Sequence, residues 1–270
     1  MRGWTLGSGS SGNALVIEAD GHRVLIDCGF GPRALATRLK ALHIEPQSIE
    51  AVIVTHEHVD HAHGVARAQH KWRWPVVATA GTLDAIGGIP ERWRRPIKPG
   101  ECIELDGFTV EGFAIPHDAA APAAFRLTAR RSGERVGIAH DLGRVPDALR
   151  KAFVNLELLF VESNHDEVML RNGPYHAHLQ ERIRGGFGHI NNAQAGAWLK
   201  DCVGSATRDV VLLHLSEANN TPETAERAMR ESLRRTRFTG TVRAAPRRVP
   251  TAMAGFDART GVRVQLALGI

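Results

Sequence analysis

Apolar residues along this 270-residue chain fall in short runs divided by turn-forming residues, a spacing that predicts many strands with helices between them. Leu15-Val16-Ile17-Glu18 and Arg23-Val24-Leu25-Ile26-Asp27 flank Asp20-Gly21, a dipeptide suited to a two-residue hairpin. Pro32 to Leu42 predicts a helix with Leu35, Leu39 and Leu42 on one face. Ala51-Val52-Ile53-Val54-Thr55 and Val76-Val77-Ala78 are apolar enough to be buried strands, with a short helix over Gly64 to His70 between them. Two more hairpins follow. Cys102 to Leu105 and Phe108 to Ala114 turn at Asp106-Gly107, while Phe125 to Ala129 and Arg135 to Ala139 turn at Ser132-Gly133.

The second half repeats this grammar. Helices are predicted over Val145 to Ala152, Tyr175 to Arg184 and Ala193 to Cys202. Leu158-Leu159-Phe160-Val161 and Val210 to Leu213 read as buried strands. Pro222 to Arg235 is the longest helix, with Thr221 as N-cap and Pro at the first helical position. Thr241-Val242-Arg243 is a late strand, and beyond about residue 250 the pattern predicts no element. The fold class is α/β, with two sheets face to face and helices outside. No low-complexity linker or sequence repeat divides the chain, so residues 1–270 read as one domain.

Composition narrows this little. The apolar share is 43% and the charged share 23%, as in soluble globular proteins. Thirty-four Lys and Arg against 29 Asp and Glu give a formal charge of +5, compatible with an anionic substrate. Three cysteines, Cys28, Cys102 and Cys202, are far apart and form no disulfide framework, which fits a reducing cytoplasm. Each lies in or beside an apolar stretch and is expected to be buried. No signal peptide or membrane anchor is predicted.

The chemistry concentrates in His56-Glu57-His58-Val59-Asp60-His61, directly after the strand that ends at Thr55. Imidazoles and carboxylates at this density, delivered at a sheet edge, point to metal binding. His56 and His58 on one side of a turn, with Asp60 and His61 on another, can hold two ions. The spacing is not the helical His-Glu-x-x-His of the zincins, and no helix is expected to follow.

His-x-His-x-Asp-His after an apolar strand resembles the signature of the metallo-β-lactamase fold superfamily. The resemblance implies an αββα sandwich and two divalent metal ions, Zn²⁺ or Mn²⁺. It places a third His at His117, a bridging carboxylate at Asp141 and a last His at His214, each after an apolar strand. Site one is then His56, His58 and His117, and site two Asp60, His61 and His214, with Asp141 shared. His140 competes with its neighbour Asp141, but only a carboxylate bridges two ions, and adjacent strand residues face opposite ways. Asp27 matches an acidic position that braces the ligand loop.

Three further segments resemble the YycJ/WalJ-type, RNase Z-related branch. They are Leu6-Gly7-Ser8-Gly9-Ser10-Ser11-Gly12-Asn13, Glu162-Ser163-Asn164-His165-Asp166, and Gly188-His189-Ile190-Asn191-Asn192, followed by His214-Leu215-Ser216-Glu217-Ala218-Asn219-Asn220. The resemblance covers roughly residues 3 to 245. Where the branch usually reads Gly-His-Leu-Ser-Asn, this chain keeps His189 but changes its Leu and Ser neighbours. The resemblance implies a phosphodiesterase, an exonuclease acting on DNA through a metal-bridging hydroxide, with Asp60, His189 and His165 as catalytic candidates. Ser8, Ser10, Ser11 and Asn13 are candidates for phosphate contacts, and Arg92, Arg94, Arg95, Arg182 and Arg184 for the nucleic-acid backbone. Two other readings share the same ligands: a metallohydrolase of small cyclic phosphodiesters or esters, and a nucleic-acid-binding protein with a vestigial site.

Overall fold

The computed structural model describes residues 1–255. Its first sheet contains β14 (Thr251–Ala254), β1 (Arg2–Gly7), β2 (Ala14–Ala19), β3 (His22–Ile26), β4 (Ala51–Ile53), β5 (Val76–Ala78) and β6 (Arg94–Pro96), in that spatial order. The second contains β13 (Thr241–Ala244), β12 (Asp209–Leu213), β11 (Leu158–Glu162), β10 (Arg135–Ala139), β9 (Ala123–Ala129), β8 (Phe108–Ala114) and β7 (Cys102–Glu104). The hairpin β2–β3 turns at Asp20 and Gly21, both with positive φ, as its Asp-Gly dipeptide demands.

Alternation along the strands assigns the faces. Leu158 and Phe160 of β11, Val211 and Leu213 of β12, and Leu15 and Ile17 of β2 meet in one buried cluster between the sheets. Their neighbours point outward. Leu159, Val161, Val210 and Leu212 pack with Leu149, Trp198, Leu199 and Met229 from the helices α5 (Asp147–Ala152), α8 (Asn192–Cys202) and α9 (Pro222–Leu233), and with Phe153 at the end of α5. On the other side, Val16, Leu25 and Val52 pack with Leu35 and Leu39 of α1 (Pro32–Lys40) and with Val65 and Ala68 of α3 (Val65–Trp72). The result is the expected αββα sandwich.

The remaining helices are α2 (Val59–Ala62), α4 (Ala80–Ile86), α6 (Glu167–Asn172) and α7 (Ala177–Arg184). The turn α2 corrects one expectation: a single helical turn does begin directly after His58, because His61 N and Ala62 N both donate to His58 O. The N-cap of α9 is as predicted, with Thr221 Oγ1 accepting from Thr224 N at 3.1 Å. Cys28 and Cys202 are buried, but Cys102 is exposed, since β7 is an edge strand with only one sheet neighbour. Of the unpatterned stretch past residue 250, residues 251–254 add β14 to the free edge of β1; the residues from 256 on lie outside the described ones.

Strands β3 and β4 are parallel, as are β10, β11 and β12. Their carboxyl ends open on one edge of the sandwich, and each delivers a polar residue there: Asp27, the His56–His61 segment, Asp141, Glu162 and His214. Among the described residues no helix is long and apolar enough to cross a membrane.

Candidate metal centre

Three residues at this edge, Asp27, Asp141 and His214, adopt positive φ angles of 57°, 47° and 55°. That left-handed conformation turns the chain sharply after β3, β10 and β12 and projects their side chains over the sheet edge. Close backbone approach completes the platform. Cys28 N donates to His61 O and Gly64 N to Cys28 O, each at 2.7 Å. Gly29 and Gly64 lie where any Cβ would collide with the backbone of Asp60 and Phe30.

Four groups of potential ligand atoms lie at this edge among the described residues; besides Asp141 with Glu162, His189 and His214, and Asp27 with His61 and His140, two match the expected sites. In the first, His56, His58, His117 and Asp141 present ligand atoms within 4.8 Å of one another. In the second, Asp60, His61 and His214 do the same. Asp141 Oδ2 lies 3.5 Å from His56 Nε2, 3.7 Å from His117 Nε2 and 3.3 Å from His61 Nε2, and its Oδ1 lies 2.7 Å from His214 Nδ1. Asp60 Oδ2 is 3.5 Å from His61 Nε2 and 3.4 Å from His214 Nε2. Asp141 thus stands between the two groups. Glu57 is turned away and accepts from Ala120 N at 2.6 Å.

The surroundings fix which imidazole nitrogen faces inward. His61 Nδ1 donates to Asp27 Oδ2 at 2.7 Å, leaving Nε2 to the cluster. The same carboxylate accepts from Thr55 N and Thr55 Oγ1, and that hydroxyl lies 3.1 Å from His56 Nδ1. His117 Nδ1 points to Gly188 O at 3.2 Å. His58 differs: its Nε2 is 3.2 Å from Asp118 O, so Nδ1 is the inward atom.

The residues fit divalent ions. Among the described residues His56 Nε2 and His214 Nε2 are buried without a hydrogen-bond partner, an arrangement that is costly unless a cation satisfies it. Electrostatics agree. Burial pushes the Asp141 carboxyl up, but His214 and His61 outweigh it and hold the group well below the usual range. Burial pulls His61 down, yet Asp141 and Asp27 raise it to about 10. Burial, together with the charge on His61, holds His56 well below its ordinary value and keeps it neutral. A field that gathers protons onto imidazoles is one that attracts dications.

His140 is part of neither of the two groups that match the expected sites. It is buried, its ring lies 5.2 Å from that of His61, and burial holds it near 4, so it packs neutral behind the ligands. Ser8 and Asn13 are also turned inward. Ser8 Oγ accepts from His214 N at 2.8 Å; Asn13 Nδ2 donates to Asp60 Oδ2 at 3.1 Å and lies 3.0 Å from His61 Nε2. Both brace the ligand loops, whereas Ser10 and Ser11 are exposed.

Sequence reasoning missed Glu162. It is fully buried and accepts from His189 Nδ1 at 2.6 Å and Leu142 N at 2.7 Å, with His214 Nδ1 at 3.3 Å. The available signal was a charged residue continuing an apolar strand without a turn. With Nδ1 pinned, His189 has Nε2 left for the cavity that it lines. Burial lowers His189, but Glu162 outweighs it and holds the imidazole above its ordinary value. His165 stands apart: it is buried beside Asn164, and its carbonyl accepts from Asn192 N at 2.9 Å, which steadies the turn carrying His189. The cavity over the cluster measures about 240 Å³ and is walled by His117, His189, His214, Ser10, Tyr175 and Arg182, among others.

A model described as the beta-lactamase superfamily domain matches residues 22–215, which include every residue of the two ligand groups. The chain belongs to the beta-lactamase superfamily. It is a hydrolase of that superfamily, with clusters compatible with divalent metals. Among superfamily relatives, the chain is 31% identical over 232 residues to exodeoxyribonuclease YycJ of Bacillus anthracis, covering 84% of this chain and 87% of that protein. It is 29% identical over 230 residues to exodeoxyribonuclease WalJ of Streptococcus pneumoniae, covering 83% and 85%. The crystal structure of the metallo-beta-lactamase fold protein YhfI from Bacillus subtilis superposes with a TM-score of 0.68 at 17% identity, over 93% of this chain and all of that one. At that identity it speaks for the fold alone.

Proposed function

We propose that this protein is an exonuclease that hydrolyses phosphodiesters in DNA with two divalent ions, Zn²⁺ or Mn²⁺. His56, His58 and His117 would hold one, Asp60, His61 and His214 the other, and Asp141 both. The observation that carries the nuclease reading is similarity across more than four-fifths of both chains to two proteins named exodeoxyribonucleases. Divalent ions held there would supply Lewis acidity toward the phosphoryl group and lower the pKa of water toward about 7.

The chain's own groups supply the rest. His189, its pKa raised and its ring oriented by Glu162, faces the cavity and is the proton donor to the leaving oxygen. Asp60, partly exposed at the cluster, keeps its carboxylate ionised: burial raises it, but His214 and His61 more than offset that. Asp27 holds His61 and Thr55 in register.

A second reading, hydrolysis of a small phosphodiester, is favoured by the cavity itself. About 240 Å³ is small, and its one guanidinium, Arg182, is ion-paired with Asp118. The test is to measure metal content, then incubate the protein with end-labelled single-stranded DNA, duplex DNA, RNA and bis(p-nitrophenyl) phosphate, beside His58→Ala. Stepwise shortening of DNA, abolished in the variant, is expected. Turnover of the chromogenic diester alone would sink the nuclease reading in favour of the second.

A further inference from the structure

The arginines that the sequence suggested for backbone contacts are largely spent. Arg94 pairs with Asp84 and Glu91, Arg182 with Asp118, and Arg184 with Glu167. Arg95 donates to the carbonyls of Arg92 and Arg94. Positive charge is instead collected in a groove between α1 and the chain just after α2. It is an open channel of about 730 Å³, lined by Arg33, Arg38, His63, Arg67 and Arg248 together with the start of α1. No carboxylate lines it among the described residues.

These cations differ in how they are engaged. Arg248 is paired with Glu217 at 3.1 Å. Arg38 is half-buried over the Phe30 ring, 4.1 Å from its centroid, and donates to Leu6 O and Arg248 O, so it forms the floor and ties the 248 segment to it. Arg33 and Arg67 are exposed and have no carboxylate partner among the described residues. Arg67 is nonetheless held in place, its Nη2 donating to His63 Nε2 at 2.6 Å. Helix α1 adds its positive end, with no side-chain cap and no acid in its first turn.

Two short stretches of chain link the groove to the cluster. Asp60 and His63 are three residues apart on α2 and its C-cap, one serving the cluster and the other the groove. Ser216 walls the cavity over the ligand cluster, and its neighbour Glu217 holds Arg248 of the groove.

We propose that this groove binds the phosphodiester backbone of a nucleic-acid strand whose end lies in the metal cavity, with Arg33 and Arg67 making phosphate contacts. It rests on the nuclease reading, since only a long polyanion spans both places. A small phosphodiester fills the cavity and leaves the groove empty.

The test is binding of a fluorescein-labelled oligothymidylate of about 20 nucleotides to the full chain in EDTA, by anisotropy across a salt series. Arg33→Gln/Arg67→Gln is compared with Arg130→Gln/Arg150→Gln, which removes equal charge from sites outside the groove. The groove pair is expected to weaken binding about tenfold or more near 0.1 M salt and to flatten the salt slope by about 1.4, roughly 0.7 per lost phosphate contact on a single strand. The control pair is expected to change the affinity less than about threefold. Turnover of bis(p-nitrophenyl) phosphate is measured on the same preparations with metal restored and is expected to be equal in all three, which also shows that the variants fold. Unchanged oligonucleotide affinity, or equal loss in the control pair, overturns the assignment. In the first case retained poly-L-glutamate binding that the groove pair loses would identify an acidic polypeptide as the occupant. Failure of the wild type to cleave any DNA, with groove-dependent binding intact, would instead refute the nuclease reading and leave the groove as a binding surface.

Discussion

Replacing Glu162 by Gln tests the coupling of the buried carboxylate to His189. The carboxylate accepts from Leu142 N, His189 Nδ1 and His214 Nδ1 at 2.7, 2.6 and 3.3 Å. A glutamine of the same shape has one oxygen and one NH₂ group, so at least one of these donors then faces a donor. Loss of one hydrogen bond to a charged group is worth about 1.5–3 kcal/mol, a factor of roughly 10 to 100 in the population of the charged, oriented imidazole. Glu162 is what holds His189 above its ordinary pKa, so its removal lowers the pKa of His189 and moves the alkaline limb of the rate profile to lower pH. The assay is a pH–rate profile on two substrates. An oligonucleotide has a poor alkoxide leaving group and is expected to lose roughly 10–100-fold at its pH optimum, the fall in charged, oriented imidazole worked above. Bis(p-nitrophenyl) phosphate releases a phenolate that needs no proton and is expected to lose less than about tenfold. Equal losses on both would refute the reasoning, placing Glu162 behind His214 and the ligand geometry rather than behind a proton donor.

Three further outcomes are expected. Asp27→Ala unpins His61 and Thr55 together, and metal affinity measured by chelator competition should fall about 10–100-fold with the fold retained by circular dichroism. In chelated protein His61 titrates near 10, above its ordinary value of about 6.5. Its stabilising contribution is therefore complete below about pH 6.5 and lost as pH rises through 10, so the Tm of the chelated form should decline across that window, and a flat profile would contradict it. Of the three thiols, Cys28 and Cys202 are buried, and burial pushes both up to about 12. Ellman's reagent at pH 8 should then modify only Cys102 in the native protein and all three in denaturant.

Most of the sandwich was legible because turn chemistry and apolar runs are local: Asp20-Gly21 marks the β2–β3 hairpin, and the unbroken Leu158 to Val161 run marks a strand buried on both faces. What escaped depends on distant partners. β1 hides in a glycine-rich start and is stabilised from both sides by β2 and β14, the latter nearly 250 residues away. β6 ends in a proline and persists as an edge. That imidazoles and carboxylates gather at one edge was legible because each strand ends on its polar residue. Glu162 was not, since its partners His189 and Leu142 come from other loops. The reassignment of the arginines has the same cause: whether a guanidinium is free depends on carboxylates such as Asp84 and Asp118 that sequence does not place beside it.

The left-handed turns at Asp27, Asp141 and His214 have an evolutionary consequence. A non-glycine residue held there costs on the order of 1–3 kcal/mol relative to a relaxed backbone. Glycine would relieve each of them, but would remove a brace, the shared carboxylate or an imidazole. A lineage released from selection for catalysis should therefore drift toward glycine at positions 27, 141 and 214, gaining robustness as it loses chemistry. Glycine at 141 or 214 in a sequenced relative would, on the proposed ligand set, mark a chain that has given up a metal-holding group.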